Sequence, residues 1–402
     1  TERTGADFAD VTTRHNYSTG TFDVSFEYLD ANDSYITISD QEISIKGDKT
    51  QLVVMSGDFA EPTFTELTVP ISSDTGEFNL GFFNITGEDT SYDIYLATDD
   101  GVFESATLFA SAQYLSELDL QSVDEGYYTI FITPAGSSDV VYESSSVYLY
   151  DEASYVAIIR PSYATELSGI TLDVVTDNNY VTELKHQSAL GQLRFINTLD
   201  DYSPVSFSVT RGTTETPTNT VSSDAYTDYI ELSPNSYSVA MFDEQGNKLA
   251  DNFLMTLERE QSAVGIFYND IDNGLRMMSV EEHLTPSSYS HTVSVVNLIE
   301  SYAGQSVTDI DVYFTLDGET VDDTSNVVDG IDRYDQEEQV VDNEIYTVYA
   351  VYEDNGQQIV LIQQSDMDFT QEGNYILILE HDETTATGYK MSLERTITDS
   401  VE

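Results

Sequence analysis

The chain has 402 residues, with 73 acidic side chains against 14 basic ones and a formal net charge of −59. A charge of that sign excludes nucleic acid and anionic lipid surfaces as partners, because both demand clustered Lys and Arg. The absence of cysteine removes disulfides, thiolate nucleophiles, iron–sulfur clusters and cysteine-built zinc sites together.

A 40% hydrophobic content is enough to build real cores despite the charge. A chain of this length suits roughly two to four domains. No stretch reaches the roughly 18–20 apolar residues that a membrane-spanning helix needs. Thr1 opens without the basic segment and apolar core of a signal peptide. Ser, Thr, Tyr, Asp and Gly are abundant while Lys is scarce, a composition that suits a processed or trimmed bacterial surface protein.

Short apolar alternations, β-branched and aromatic residues and frequent turn pairs predict strands almost throughout. In chain order, Phe8–Val11 reads as a strand. Next comes the hairpin Phe22-x-Val24-x-Phe26, a turn at Asp30–Ser34 and Tyr35–Ile38, followed by strands at Leu52–Met55 and Phe64–Val69. Leu80–Asn84 and Tyr92–Leu96 open a second set. Ser105–Leu120 is the best helical stretch, and its periodicity is weak.

The same series then recurs. Tyr128-x-Ile130, Tyr237-x-Val239 and Tyr346-x-Val348 repeat the hairpin of Phe22-x-Val24 at intervals of about one hundred residues. Tyr155–Ile158, Ala263–Ile266 and Tyr375–Ile378 repeat the apolar strand after it. Three opening strands end alike, at Asn84, Asn197 and Asn297. A period near one hundred residues with about seven strands predicts an all-β, tandem array of four immunoglobulin-like β-sandwich units. The expected blocks are 1–75, 76–189, 190–289 and 290–402, and the first lacks its opening strands. Phe22, Val24, Tyr128, Ile130, Tyr237, Val239, Tyr346 and Val348 should occupy equivalent, inward-facing positions.

The opening strand closing on Asn84, Asn197 or Asn297 and the Gly126-Tyr127-Tyr128 lead into the hairpin resemble an uncharacterised bacterial cell-surface repeat family. That family is a domain of unknown function, often found in lipoproteins. The third and fourth blocks depart from its pattern, with Asn235 and Glu344 near the place of the glycine. The resemblance implies a secreted β-sandwich array, tethered by a lipidated cysteine ahead of the first repeat. It implies no catalytic residue.

Chemistry is sparse. The histidines His15, His186, His283, His291 and His381 form no His-x-x-x-His or His-Glu-x-x-His arrangement. There is no nucleophile elbow, phosphate loop or dinucleotide fingerprint. Acid pairs are too common at this charge to nominate a glycosidase. The weak calcium candidate is the acidic stretch of the fourth block, Asp322, Asp323, Asp329 and Asp332, because hard cations take clustered oxygens. Asn269–Gly274 resembles a calcium loop, but Ile271 stands where an oxygen ligand is required. The recurring asparagines read as strand-end turn residues. Asp100-Gly101, Asp317-Gly318 and Asn355-Gly356 read as type I′ hairpin turns. The tyrosines should line sandwich faces with their hydroxyls in solvent.

The expected function is therefore a non-enzymatic structural or interaction protein of the bacterial cell surface, extracellular or on the outer membrane and rod-like. Its expected partners are copies of itself or other surface proteins, joined by β-strand addition into a filament. The alternative is a surface module binding calcium or a glycan. No cofactor other than calcium is expected.

Overall fold

The computed structural model describes all residues except 1–4, 7, 30–33, 59–60, 72–73, 100, 164–168, 177–179, 286–288, 355 and 397–402. The expected turn residues 30–33, Asp100 and Asn355 lie outside the described residues. Strands dominate; the described residues contain no α-helix and one 3₁₀ turn, Phe103–Ser105. The weak helical stretch is a strand at Thr107–Gln113. The chain divides into two compact units, Thr1–Tyr28 with Tyr35–Ala189, and Leu29–Ser34 with Leu190–Glu402.

Block four shows the plan most fully. Its principal strands are Ser290–Asn297, Asp309–Thr315, Val327–Asp332, Gln336–Asp342, Ile345–Asp354, Gln357–Asp368, Asn374–His381 and Tyr389–Thr396. One sheet takes them in the order fourth, first, seventh, eighth; the other takes third, second, fifth, sixth. Block three repeats both orders, its fourth strand broken into Ala225–Tyr226 and Ile230–Leu232. Block two repeats them again and adds an extra edge strand, Val181–Leu184.

Each pair of sheets shares one apolar core, so these blocks are β-sandwiches. The strand order departs from the immunoglobulin arrangement, in which the first strand pairs with the second. Here the first strand runs parallel to the seventh, as in Val293↔Tyr375, and antiparallel to the fourth, as in Val293↔Gln339. Strand number and spacing are local properties of a sequence, whereas pairing order is set by packing between distant strands.

Among the described residues ahead of residue 76 there are two two-stranded sheets, Gly20–Leu29 with Tyr35–Ile45 and Lys49–Ser56 with Thr63–Pro70. Like strands five with six and seven with eight of the other blocks, each is a pair of neighbours in the chain. Phe8–Val11, expected as a strand, is turn and irregular chain, with Phe8 against Tyr163 at 5.6 Å between ring centroids. In the other blocks strand four pairs with strand one, and among the described residues no strand one stands beside this segment.

The eight inward positions divide by block. Tyr128, Ile130, Tyr237, Val239, Tyr346 and Val348 are all buried. Phe22 and Val24 alternate correctly with exposed neighbours but remain only half-buried. The three tyrosines do not present their hydroxyls to solvent as expected. Tyr128 donates to the Asp124 carbonyl at 2.7 Å and Tyr237 to the Ser233 carbonyl at 2.5 Å, while Tyr346 accepts from the Asp342 amide at 3.2 Å. Each reaches back four residues and ties the start of strand five to the chain before it.

Strand seven carries a second message. Ala263–Phe267 and Tyr375–Leu379 are apolar or glycine on both faces and buried throughout. One face lines its own sandwich. The other packs block three on block four, where Ile196, Val264, Ile266 and Val280 meet Val296, Leu298, Ile376 and Ile378. Blocks one and two use the same device, with Val54, Leu67 and Val69 covering Phe83 and Val156.

Candidate functional site

The recurring asparagines are fully buried. Asn84 accepts from the Thr86 amide at 2.9 Å, Asn197 from the Leu199 amide at 3.2 Å and Asn297 from the Ile299 amide at 3.0 Å. The amide nitrogens of Asn84 and Asn197 donate across the turn, to Thr90 Oγ1 at 3.0 Å and the Tyr202 carbonyl at 2.8 Å, whereas that of Asn297 donates to the Ile331 carbonyl of strand three at 3.0 Å. Both ends of every side chain are used, and the acceptor end closes the turn after strand one in all three, as the turn reading expects.

The acidic stretch of block four is largely two edge strands, Val327–Asp332 and Gln336–Asp342. Asp322 is exposed in the turn ahead of them. Asp323 accepts from the Thr320 amide at 3.1 Å and hydroxyl at 2.6 Å. Asp329 lies beside Asp311, whose carboxyl burial pushes up, with Asp329 adding to the rise. Asp332 is exposed at the end of its strand. Among the described residues no group of three or more His, Asp or Glu is placed to hold a metal ion. Charged side chains on edge strands oppose further strand pairing, which accounts for their position.

Asp270, in the loop that resembles a calcium site, is engaged by its own turn. It accepts from the Asp272 amide at 2.8 Å and Asn273 Nδ2 at 2.8 Å, and the Asn273 bond holds its carboxyl below the usual range. At Asp317-Gly318 only the glycine has positive φ, so the turn is not type I′.

Block three meets block four through a charged cluster that sequence reasoning missed. Arg194 Nη2 lies 2.7 Å from Glu282 Oε1 and its Nη1 3.0 Å from Glu394 Oε1. The guanidinium stands over Tyr226 at 4.2 Å and Tyr229 at 4.9 Å. Burial works against the charge of Arg194, but Glu282 and the tyrosines leave its pKa raised. A second group centres on Lys390, whose Nζ lies 2.5 Å from Asp224 of block three, 3.5 Å from Glu380 and 3.9 Å from Asp382. Glu380 is buried, and that burial pushes its carboxyl up to about 8 against the opposing pull of Lys390. Tyr268 and Tyr334 stack at 4.9 Å beside the same junction. Near-continuous apolar runs in strand seven were the available signal, since such runs mark strands buried on both faces.

The remaining feature is an open edge in block one. Leu52 and Val54 join the contact with block two, so Val53 and Met55 point to the other face. There the tilted rings of Phe26 and Phe64 pack with centroids 4.4 Å apart, yet Met55 is 41% exposed. Among the described residues neither Gly20–Leu29 nor Lys49–Ser56 has a second strand paired to it.

No helix among the described residues is long and apolar enough to cross a membrane. No family model matches the chain, and no curated protein matches it. Among solved structures, the Bacillus anthracis TIE protein aligns over 88% of this chain at 8% identity, with a TM-score of 0.17. The chain spans 65% of that protein's chain. A TM-score this low carries no argument about fold or function.

Proposed function

We propose that the chain is a non-enzymatic structural and interaction protein of the bacterial cell surface, a tandem array of four related sandwich blocks at 1–75, 76–189, 190–289 and 290–402. One observation carries this reading. The polar residues that recur from block to block, Asn84, Asn197 and Asn297 with Tyr128, Tyr237 and Tyr346, are all bonded into the fold. The repeated chemistry of the chain is thus the chemistry of keeping sandwiches closed. A −59 charge further suits a solvated, salt-exposed setting. Protease treatment of intact source cells tests the location. Release of peptides from this chain supports it, and confinement of the chain to the cell interior overturns it.

A second reading, glycan binding, rests on a different observation. Tyr127, Tyr148 and Tyr150 form an aromatic cluster on block two, with ring centroids 4.8 and 4.7 Å apart. Tyr127 and Tyr150 are 54% and 65% exposed. Amphipathic rings so placed suit the apolar face of a sugar. Glycan-array binding that disappears in Tyr150→Ala supports this reading, and an array with no signal removes it.

A further inference from the structure

We infer that the tyrosine cluster of block two binds glycans carrying free amino groups, in preference to neutral or acidic ones. The inference rests on the glycan reading of that cluster and names the class of sugar. The rings are placed by the sheet. Tyr127 and Tyr148 face each other directly across the antiparallel pair Gly126–Pro134 and Val147–Leu149. Tyr150 follows Tyr148 on the same side, because Leu149 between them points into the core.

The ridge so formed is held in place by its own contacts. Neighbouring rings meet edge to face, at 71° for Tyr127 with Tyr148 and 67° for Tyr148 with Tyr150. The Tyr150 amide donates to the Tyr155 hydroxyl at 3.1 Å, and Tyr155 is itself buried in the core. The two outer rings stay mostly exposed, and a pyranose offers its C–H face to rings of this kind.

Charge decides which sugar. Gly76 gathers two acidic residues at one end of the ridge: its amide donates to Asp151 Oδ2 at 2.8 Å, and its carbonyl accepts from the Glu125 amide at 3.0 Å. Glu125 stands two residues before Tyr127, and Asp151 directly after Tyr150. Partial desolvation raises the pKa of the Tyr148 hydroxyl, and Glu125, Tyr150 and Asp151 raise it further, so both carboxylates act on the middle ring.

The strands of the sheet that carries the tyrosines contain no Lys or Arg to compete for this place. Within residues 76–189 the Lys and Arg are Arg160 and Lys185. Arg160 is engaged by Asp173 and Glu183, and Lys185 lies 3.6 Å from Glu183. An ammonium group on a stacked sugar therefore meets carboxylates beside it and the electron-rich face of a tyrosine beneath it, two surroundings that favour a cation. An acidic glycan meets the same carboxylates as repulsion, on a chain of net charge −59. A neutral sugar gains the stacking alone.

The test uses the full chain at about pH 6, below the range of aliphatic amines. The probes are a trisaccharide of glucosamine, the same trisaccharide N-acetylated, and a trisaccharide of glucuronate. Calorimetry should show the glucosamine trimer binding about tenfold more tightly than the N-acetylated one, with no binding of the uronate. Glu125→Gln with Asp151→Asn, which keeps an acceptor for the Gly76 amide, should close that gap. A control with the same loss of charge on block four, Asp332→Asn with Glu337→Gln, should leave it open, and Tyr150→Ala should abolish binding of both trimers. Equal binding of the glucosamine and N-acetylated trimers overturns the inference and leaves the glycan reading standing. A gap that survives the block-two double variant, or that the control closes equally, assigns the preference to the charge of the chain at large and also overturns it. So does the absence of binding by every trimer. The glycan reading itself falls on a separate result, the glycan array without signal.

Discussion

Arg194 and Glu394 lie 200 residues apart in sequence and meet at 3.0 Å across two sandwiches. Glu282 completes the arrangement from within block three, with a side chain that is fully buried. Removing one member of a buried ion pair leaves the other charge without a partner, at a cost of about 3–5 kcal/mol. Arg194→Ala should therefore lower the unfolding free energy of the Leu190–Glu402 unit by that order. Glu394→Gln, at the more exposed end, should cost about 1 kcal/mol or less. Denaturant titration followed by tyrosine fluorescence measures both, and equal losses would contradict the assignment of burial.

The turn asparagines give a matched set of variants. Asn297→Ala leaves the Ile331 carbonyl and the Ile299 amide without their buried partner and should cost about 1–3 kcal/mol. Asn297→Asp keeps the acceptor, loses the donor and adds a buried charge, so it should be the worse of the two at neutral pH. Lowering the pH should narrow the difference. Calorimetry at two pH values decides it.

Gly265 faces the core of block three, and a Cβ there would lie 2.5 Å from the Phe195 ring. Phe195, Phe207 and Phe267 already pack with ring centroids 4.9 and 4.6 Å apart, so the rings have little room to yield. Gly265→Ala should cost about 1–3 kcal/mol through overpacking. A variant as stable as the parent would show that the rings can shift.

Glu380 makes the junction between blocks three and four sensitive to pH. Burial raises its folded value from 4.5 to about 8, so between those limits the folded state holds more protons than the unfolded state. Its contribution to stability is complete below about 4.5 and is lost as pH rises through about 8. The groups facing it are Lys390, Asp224 and Asp200, with Asp382 on the far side of the lysine. Asp270, Asp368 and Asp382 work in the other direction. Side-chain hydrogen bonds from Asn273, Thr370 and Thr384 hold them below 3.8, so their contribution is present above that value and is lost as pH falls through the folded one. Melting temperature measured from pH 5 to 9 should decline toward the alkaline end, and Glu380→Gln should flatten that decline.

Salt should stabilise the molecule. A net charge of −59 repels itself, and moderate ionic strength screens such repulsion beyond about 8–10 Å. The melting temperature should rise with sodium chloride and then level off. An unchanged melting temperature from low to high salt would mean that the charges are already neutralised.

Much of this fold is legible in the residues. The alternation around Tyr128, Tyr237 and Tyr346 marks the inward face of strand five, and Asn84, Asn197 and Asn297 mark the turn after strand one. Both features are local, which is why pattern reading reaches them. Pairing order is not local: nothing in Val293 or Tyr375 alone says that they lie side by side and parallel. The back-to-back packing was encoded, since Ala263–Phe267 and Tyr375–Leu379 do not alternate, but an unbroken apolar run does not name what covers its second face. The acids misled in a different way. Asp270 and Asp323 look available for a cation in sequence, and each is held by the backbone of its own turn.

The 200-residue separation of Arg194 and Glu394 has a consequence for how the protein is made. A ribosome adding about 5–20 residues per second needs roughly 10–40 s to pass from one to the other. Once its last strand, ending at Glu282, has been made, block three can close its own sandwich, yet Ile196, Val264 and Ile266 then face water. The nascent chain therefore carries a bare apolar sheet until block four emerges to cover it. In a crowded cell, the stretch of translation between these two residues is when the chain is most open to capture by a chaperone or by a neighbouring nascent chain.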